Sequence, residues 1–283
     1  MKQRIITALV LAPLAISAIF FLPLKFFMLF GAAIFLLASK EWAGFVSKTP
    51  SFSTVYIFGL LLGATLMLIP STLVWQGEQP NQHILSGLIV ANVWWCVALV
   101  LVLRYPQSAT LWRSSKWIKS LFGLLTLIPF FWGLVTLRSV NMHHDFYFGS
   151  QLLMYVFLLV WAADSGAYFV GKQFGKRKLA PNVSPGKTIE GFAGGVFSAL
   201  IVTYFALDFF AISSEKTMLF FIASVITTLV SALGDLTESI FKREAGLKDS
   251  GRLLPGHGGI LDRIDSLTAA IPVFALIYTY WLI

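Results

Sequence analysis

The sequence predicts an all-α integral membrane protein, a polytopic bundle of about nine transmembrane helices. Three observations lead there. Hydrophobic residues fill 57% of 283 positions and charged residues only 12%, against about 25% charged in soluble domains. The apolar residues come in runs of roughly 18 or more, long enough to cross a bilayer as helices. In lipid the backbone must satisfy its own polar groups, which leaves helices or closed barrels, and these runs are too long for barrel strands.

The first run, 5–24, follows MKQR and is uncharged throughout. It exceeds the ~7–15 residues of a signal-peptide core and is read as a retained anchor. The second, 26–46, is the weakest, because Lys40 and Glu41 interrupt its end. The third covers 53–75. The fourth, 84–103, holds Trp94, Trp95 and the single cysteine, Cys96, read as a packing residue because no second thiol exists for an internal disulfide. The fifth, 118–137, shares the fourth's tryptophan content, and the two are the expected interface of a homodimer. The sixth, 147–170, seventh, 190–211, eighth, 217–241, and ninth, 265–283, are each flanked by polar stretches. No linker, low-complexity tract or repeat divides the chain, so 1–283 reads as one membrane domain.

The net charge of +8 is unevenly spread. With the N-terminus placed in the cytoplasm and the spans alternating, eighteen Lys and Arg residues fall on the cytoplasmic side. Three fall opposite: Lys25, Arg138 and Lys216. The positive-inside rule favours that orientation, and such a face attracts anionic lipid headgroups. The bases lack the aromatic interleaving of a nucleic-acid platform, so no nucleic-acid partner is expected.

Polar residues at membrane depth are expensive and usually functional, and three stretches qualify, all on the basic side. In WAADSGAYFVGKQFGKRK, residues 161–178, Asp164, Ala167, Tyr168, Gly171 and Gly175 fall near one helical face. They suit close approach of a ligand or, equally, a GxxxG-like packing seam between Gly171 and Gly175. In SPGKTIEG, residues 184–191, Ser184 suits a helix cap and Lys187 a phosphate at a helix N-terminus; an ordinary helix start reads the same way. In the third stretch, residues 231–266, Asp235, Glu238 and Ser239 share a helical face, and Asp262 and Asp265 stand three apart at the start of the ninth span. Four unpaired carboxylates at one depth would repel or neutralise. A hard cation with oxygen ligands, magnesium above all, relieves them, as would pairing with Lys242, Arg243 and Arg263. Between them PGHGG offers backbone N–H groups for an anion nest and His257 as a donor. Acids for metal beside bases and glycines for phosphate form the layout of a nucleotide site. His83, His143 and His144 fall in loops assigned to the opposite face. No HExxH, GxSxG, CxxC or strand-borne Rossmann fingerprint occurs.

The segments SIFKR (239–243), KDSG (248–251) and LPGHGGILDRID (254–265) together resemble the signature of phosphatidate cytidylyltransferases, the CDP-diacylglycerol synthases. SPGKTIEG and DSGAYFVGKQFG are similar to that family's upstream segments, and nine helices suit it. One departure is Gly186, where many members carry a basic residue. The resemblance covers 160–283 with specificity. It implies a nucleotidyltransferase that makes CDP-diacylglycerol and pyrophosphate from CTP and phosphatidic acid for phospholipid biosynthesis. It also implies catalysis by 161–283, with 1–160 supplying support, lipid access or an interface. Asp235 and Asp262 are the implied magnesium ligands, and Asp164, Glu238 and Asp265 accessory acids suited to a second cation. Lys187, Lys242, Arg243, Lys248 and Arg263 would neutralise phosphates. His257, Gly258, Gly259, Ser184, Ser239 and Asp249 would line the substrate. The expected location is a bacterial inner membrane with the site facing the cytoplasm. Two alternatives remain: a CTP-dependent polyprenol or phytol kinase, whose alcohol acceptor needs a catalytic base, and a cation-coupled transporter, which places its acids near the bilayer midplane.

Overall fold

The computed structural model describes residues 2–47, 52–77, 79–142 and 144–282; Lys48 and His143 lie outside them. The described residues form nine α-helices: α1 (Lys2–Phe21), α2 (Leu24–Val46), α3 (Phe52–Leu68), α4 (Gln82–Leu103), α5 (Lys116–Arg138), α6 (Phe148–Phe174), α7 (Ile189–Phe209), α8 (Ser214–Ala245) and α9 (Leu261–Ile277), the last continuing as a π turn. Two short antiparallel hairpins join them: β1 (Trp75–Gln76) with β2 (Gln79–Pro80), and β3 (Lys178–Ala180) with β4 (Ser184–Thr188). Among the described residues seven helices are long and apolar enough to cross a membrane. The apolar parts of α1 and α3 are shorter, Leu9–Phe21 and Ser53–Leu68.

The boundaries depart from expectation where polar residues prove helical. α3 stops at Leu68, just before Pro70, and 71–80 turn back through a 3-10 turn and the first hairpin. α8 runs on to Ala245, because Lys242 and Arg243 in its last turn complement the helix dipole and Gly246 closes it with a left-handed φ of 70°. Asp262 and Asp265 therefore stand inside the first turns of α9.

Small residues let helices approach where lipid provides no hydrophobic drive. Gly191 and Gly195 of α7 face Ala163, Ala167 and Gly171 of α6; a Cβ on Gly195 would lie 2.6 Å from the Ala163 carbonyl. Gly171 and Gly175 belong to the same seam: Gly171 faces the Gly191 Cα, and a Cβ on Gly175, which caps the end of α6, would lie 2.7 Å from the Thr188 hydroxyl. Gly234 of α8 meets the Asp265 carbonyl of α9 in the same way. Phe241 is ringed by Trp42, Phe45, Trp112 and Phe122, with centroids 4.8–6.3 Å away.

Trp94, Trp95 and Trp132 are buried inside the protomer, whereas Trp117 at the start of α5 is exposed. One expectation fails on packing grounds: Cys96 points outward from α4 instead of packing in the core. Large apolar side chains such as Phe197, Tyr204, Phe205 and Phe209 of α7 are likewise exposed, the composition of a lipid-facing surface.

Candidate active site

One end of the bundle gathers the polar residues. The start of α7 is capped by Thr188, whose hydroxyl accepts the Gly191 N–H at 3.1 Å. Ser184, expected at that cap, lies instead in β4 opposite Ala180. The reason is distance along the chain: β4 carries 184–188 extended, so only its last residue reaches the helix. Glu190 accepts the Lys176 and Arg177 N–H groups and the Arg177 guanidinium, fastening the end of α6 to the start of α7.

Between α6, β4, α7 and α8 lies a cleft of about 430 Å³. Asp164, Lys172, Lys187, Thr228, Ser231 and Asp235 line it with polar atoms; Ala163, Phe192 and Val196 give it an apolar flank. Asp164, Ala167, Tyr168 and Gly171 do share the face predicted for them. The Lys187 ammonium sits 2.5 Å from Asp235 Oδ2, and the Ser239 hydroxyl reaches Asp235 Oδ1 at a long 3.4 Å. Asp164 has no hydrogen-bond or ion-pair partner among the described residues, yet lies within electrostatic reach of Asp235, Lys187 and Arg263.

Beside the cleft a second cluster forms where α8 meets α9. The Lys242 ammonium lies 3.2 Å from Glu238 and 2.8 Å from Asp262 Oδ1. Neither Glu238 oxygen, although buried, has a hydrogen bond of good geometry. Asp262 Oδ2 accepts the Ser250 N–H, the Ser250 hydroxyl and the Gly259 N–H at 2.8–2.9 Å. Asp265 lies within electrostatic reach of Asp235, Asp164 and Lys242, and so joins the two clusters.

The anion-nest reading of PGHGG needs correction at Gly259, whose N–H is spent on the protein's own Asp262. Gly258 turns with φ of 82°, and a Cβ there would lie 2.6 Å from Asp262 Oδ2. The loop folds around a carboxylate because only glycine takes that conformation and leaves that space. Two expected phosphate clamps are engaged as well: Lys242 by two acids, and Arg243 by the Val183 carbonyl at 3.1 Å. Lys248, Asp249 and Arg263 are exposed, and the buried Nδ1 of His257 has no hydrogen-bond partner among the described residues.

Glu41 joins the site although it is not among the residues expected there. From α2 it accepts the Ser250 hydroxyl at 3.0 Å, the Ile260 N–H at 2.9 Å and the Leu261 N–H at 2.7 Å. The signal was present as the lone acid interrupting an apolar span, which is expensive unless partnered.

Among the described residues no three His, Cys, Asp or Glu side chains form a ready-made metal cage. The donors nevertheless fit a hard cation. Of five acids (Asp164, Asp235, Glu238, Asp262 and Asp265), three are paired with ammonium groups, Asp235 with Lys187 and Glu238 and Asp262 with Lys242. Asp164, Asp235 Oδ1 and Asp262 Oδ1 each retain acceptor capacity, and magnesium needs only one or two carboxylates when phosphates complete its shell.

A model of the cytidylyltransferase family matches residues 2–281. The chain is 45% identical over 290 aligned positions to the phosphatidate cytidylyltransferase of Haemophilus influenzae, covering 99% of each chain. It is 45% identical over 275 positions to that of Pseudomonas aeruginosa, covering 97% of this chain and 96% of the relative. To that of Staphylococcus haemolyticus it is 36% identical over 239 positions, covering 77% and 91%.

Proposed function

The chain belongs to the cytidylyltransferase family, and on that premise we infer how its cleft serves the transfer of CMP from CTP to phosphatidate, yielding CDP-diacylglycerol and pyrophosphate. It is an integral membrane nucleotidyltransferase of phospholipid synthesis. A phosphatidate oxygen bonds to the α-phosphorus of CTP while the bond from that phosphorus to the β-bridging oxygen breaks; pyrophosphate leaves with the electron pair. The attacking oxygen is already anionic at neutral pH, so no general base is needed. The work is positioning and charge neutralisation.

The single observation behind this reading is the mixed lining of the cleft, where Asp164, Lys187 and Asp235 meet Ala163, Phe192 and Val196. The charged residues suit the triphosphate and the apolar ones the glycerolipid. Asp235 and Asp262 would hold magnesium, with Asp164, Glu238 and Asp265 around them. When bound, the ion offsets phosphate charge and polarises the α-phosphorus. Lys187 exchanges Asp235 for a phosphate oxygen; Arg263 and Lys248, both exposed, attract the polyanions. His257 stands in the same loop as Gly258 and Gly259, which fold around Asp262. The basic end faces the cytoplasm of a bacterial inner membrane, where CTP is dissolved, and the N-terminus lies on that side.

Labelled CTP tests the reading. Label on the α-phosphate ends in lipid and label on the γ-phosphate in pyrophosphate. γ-Label in lipid instead would establish a lipid kinase.

A further inference from the structure

We propose that Glu41 is a positioning residue for CMP transfer, holding the 246–260 loop and the start of α9 in register from the N-terminal half of the chain. The inference rests on the reading that Asp262 belongs to the reacting site.

α9 begins without a side-chain cap of its own. The first N–H groups of an α-helix have no intrahelical acceptor, and a side chain before the helix usually supplies one. The residue in that position of α9 is Ile260, which makes no side-chain cap. The acceptor comes from α2: Glu41 takes the Ile260 and Leu261 N–H groups. A carboxylate at a helix N-terminus also gains from the dipole. Asp262 is the next residue, so whatever fixes Leu261 fixes the base of Asp262.

Glu41 reaches Asp262 by a second route. The Ser250 Oγ lies 3.0 Å from Glu41 Oε2 and 2.9 Å from Asp262 Oδ2. A hydroxyl has one proton, so the two carboxylates compete for it. Glu41 thereby governs how many donors Asp262 Oδ2 keeps. The surrounding sequence makes room for it: a Cβ on Gly251 would lie 2.6 Å from Glu41 Oε1, and one on Gly259 would collide with Glu41 and Ser250. α1 adds a weaker hold, the Thr7 hydroxyl donating to the Pro255 carbonyl at 3.1 Å.

The test uses the full chain in detergent with CTP, phosphatidate and magnesium. Glu41→Gln, Ser250→Ala, the double variant and Asp262→Asn are compared by kcat, by both KM values and by trypsin cleavage after the exposed Lys248 and Arg252. Each sample is first checked for a monodisperse elution profile. Glu41→Gln is expected to lower kcat about 10–100-fold, the scale of a misplaced reacting group, with KM for phosphatidate within about twofold. Loop cleavage should quicken, and Ser250→Ala should add little to Glu41→Gln. Glu41→Asp, which keeps the charge, should recover part of kcat. A kcat within about twofold of the parent in Glu41→Gln, with Asp262→Asn inactive, would overturn the proposal. So would a loss that merely tracks the yield of folded protein. Should Glu41→Gln fail to fold, an unchanged kcat in Ser250→Ala overturns it. Activity retained by Asp262→Asn would instead sink the underlying reading of the site.

Discussion

Lys242 and Asp262 meet at 2.8 Å across the contact between α8 and α9, and the same ammonium lies 3.2 Å from Glu238. One cation thus bridges two acids from different helices, both largely buried. Burying charge is tolerable only when partners remain in place.

Replacing Lys242 with Met should leave Glu238 and Asp262 uncompensated and destabilise the protein by about 3–5 kcal/mol. Adding Glu238→Gln should recover part of that loss. Thermal unfolding of the purified variants in one detergent checks both; an unchanged midpoint in the single variant would show that the bridge contributes nothing.

Asp262→Asn should abolish CDP-lipid formation while the protein still elutes as a folded, monodisperse species. The expected barrier increase is several kcal/mol, about 10³-fold or more in rate. Near-normal turnover would remove Asp262 from the reacting site.

Lys187→Ala breaks a partly exposed pair with Asp235, so its cost to stability should be small, about 1 kcal/mol or less. Its cost to catalysis should be larger: a drop of about 10–100-fold in kcat/KM for CTP, as a phosphate contact is lost. Steady-state kinetics at fixed phosphatidate reads this directly.

Gly195→Val places a Cβ within 2.6 Å of the Ala163 carbonyl. Forcing α6 and α7 apart should cost about 1–3 kcal/mol or more. Because both helices line the cleft, turnover should also fall; a variant with the parent's melting midpoint would refute the tightness of this seam.

Chelating divalent ions should stop turnover, and added magnesium should restore it. The melting midpoint should move little, because Lys187 and Lys242 already hold Asp235, Glu238 and Asp262 without a metal. Full activity in chelator would exclude the divalent ion from the reaction.

Much of the architecture was legible from hydropathy, because lipid imposes one rule on every span: apolar outside, backbone satisfied within. Asp164, Lys187 and Asp235 were legible too, as charges at the ends of apolar runs. Less visible was how polar residues divide their bonds. Lys242 and Arg243 read as phosphate clamps, yet one holds Glu238 and Asp262 and the other the Val183 carbonyl. Gly259 read as an anion nest, and its anion is Asp262.

Composition and spacing along the chain were enough to establish a helical membrane protein with acids, bases and glycines concentrated on one side. They were enough because burial in lipid and helical periodicity depend on neighbouring residues alone. That Glu41 caps a helix beginning 220 residues later, and that Ser250 stands between two carboxylates, was decided only when α2, α8 and α9 packed together. Hydrogen bonds form between atoms that meet in space, and linear order does not specify which buried donors will meet which acceptors.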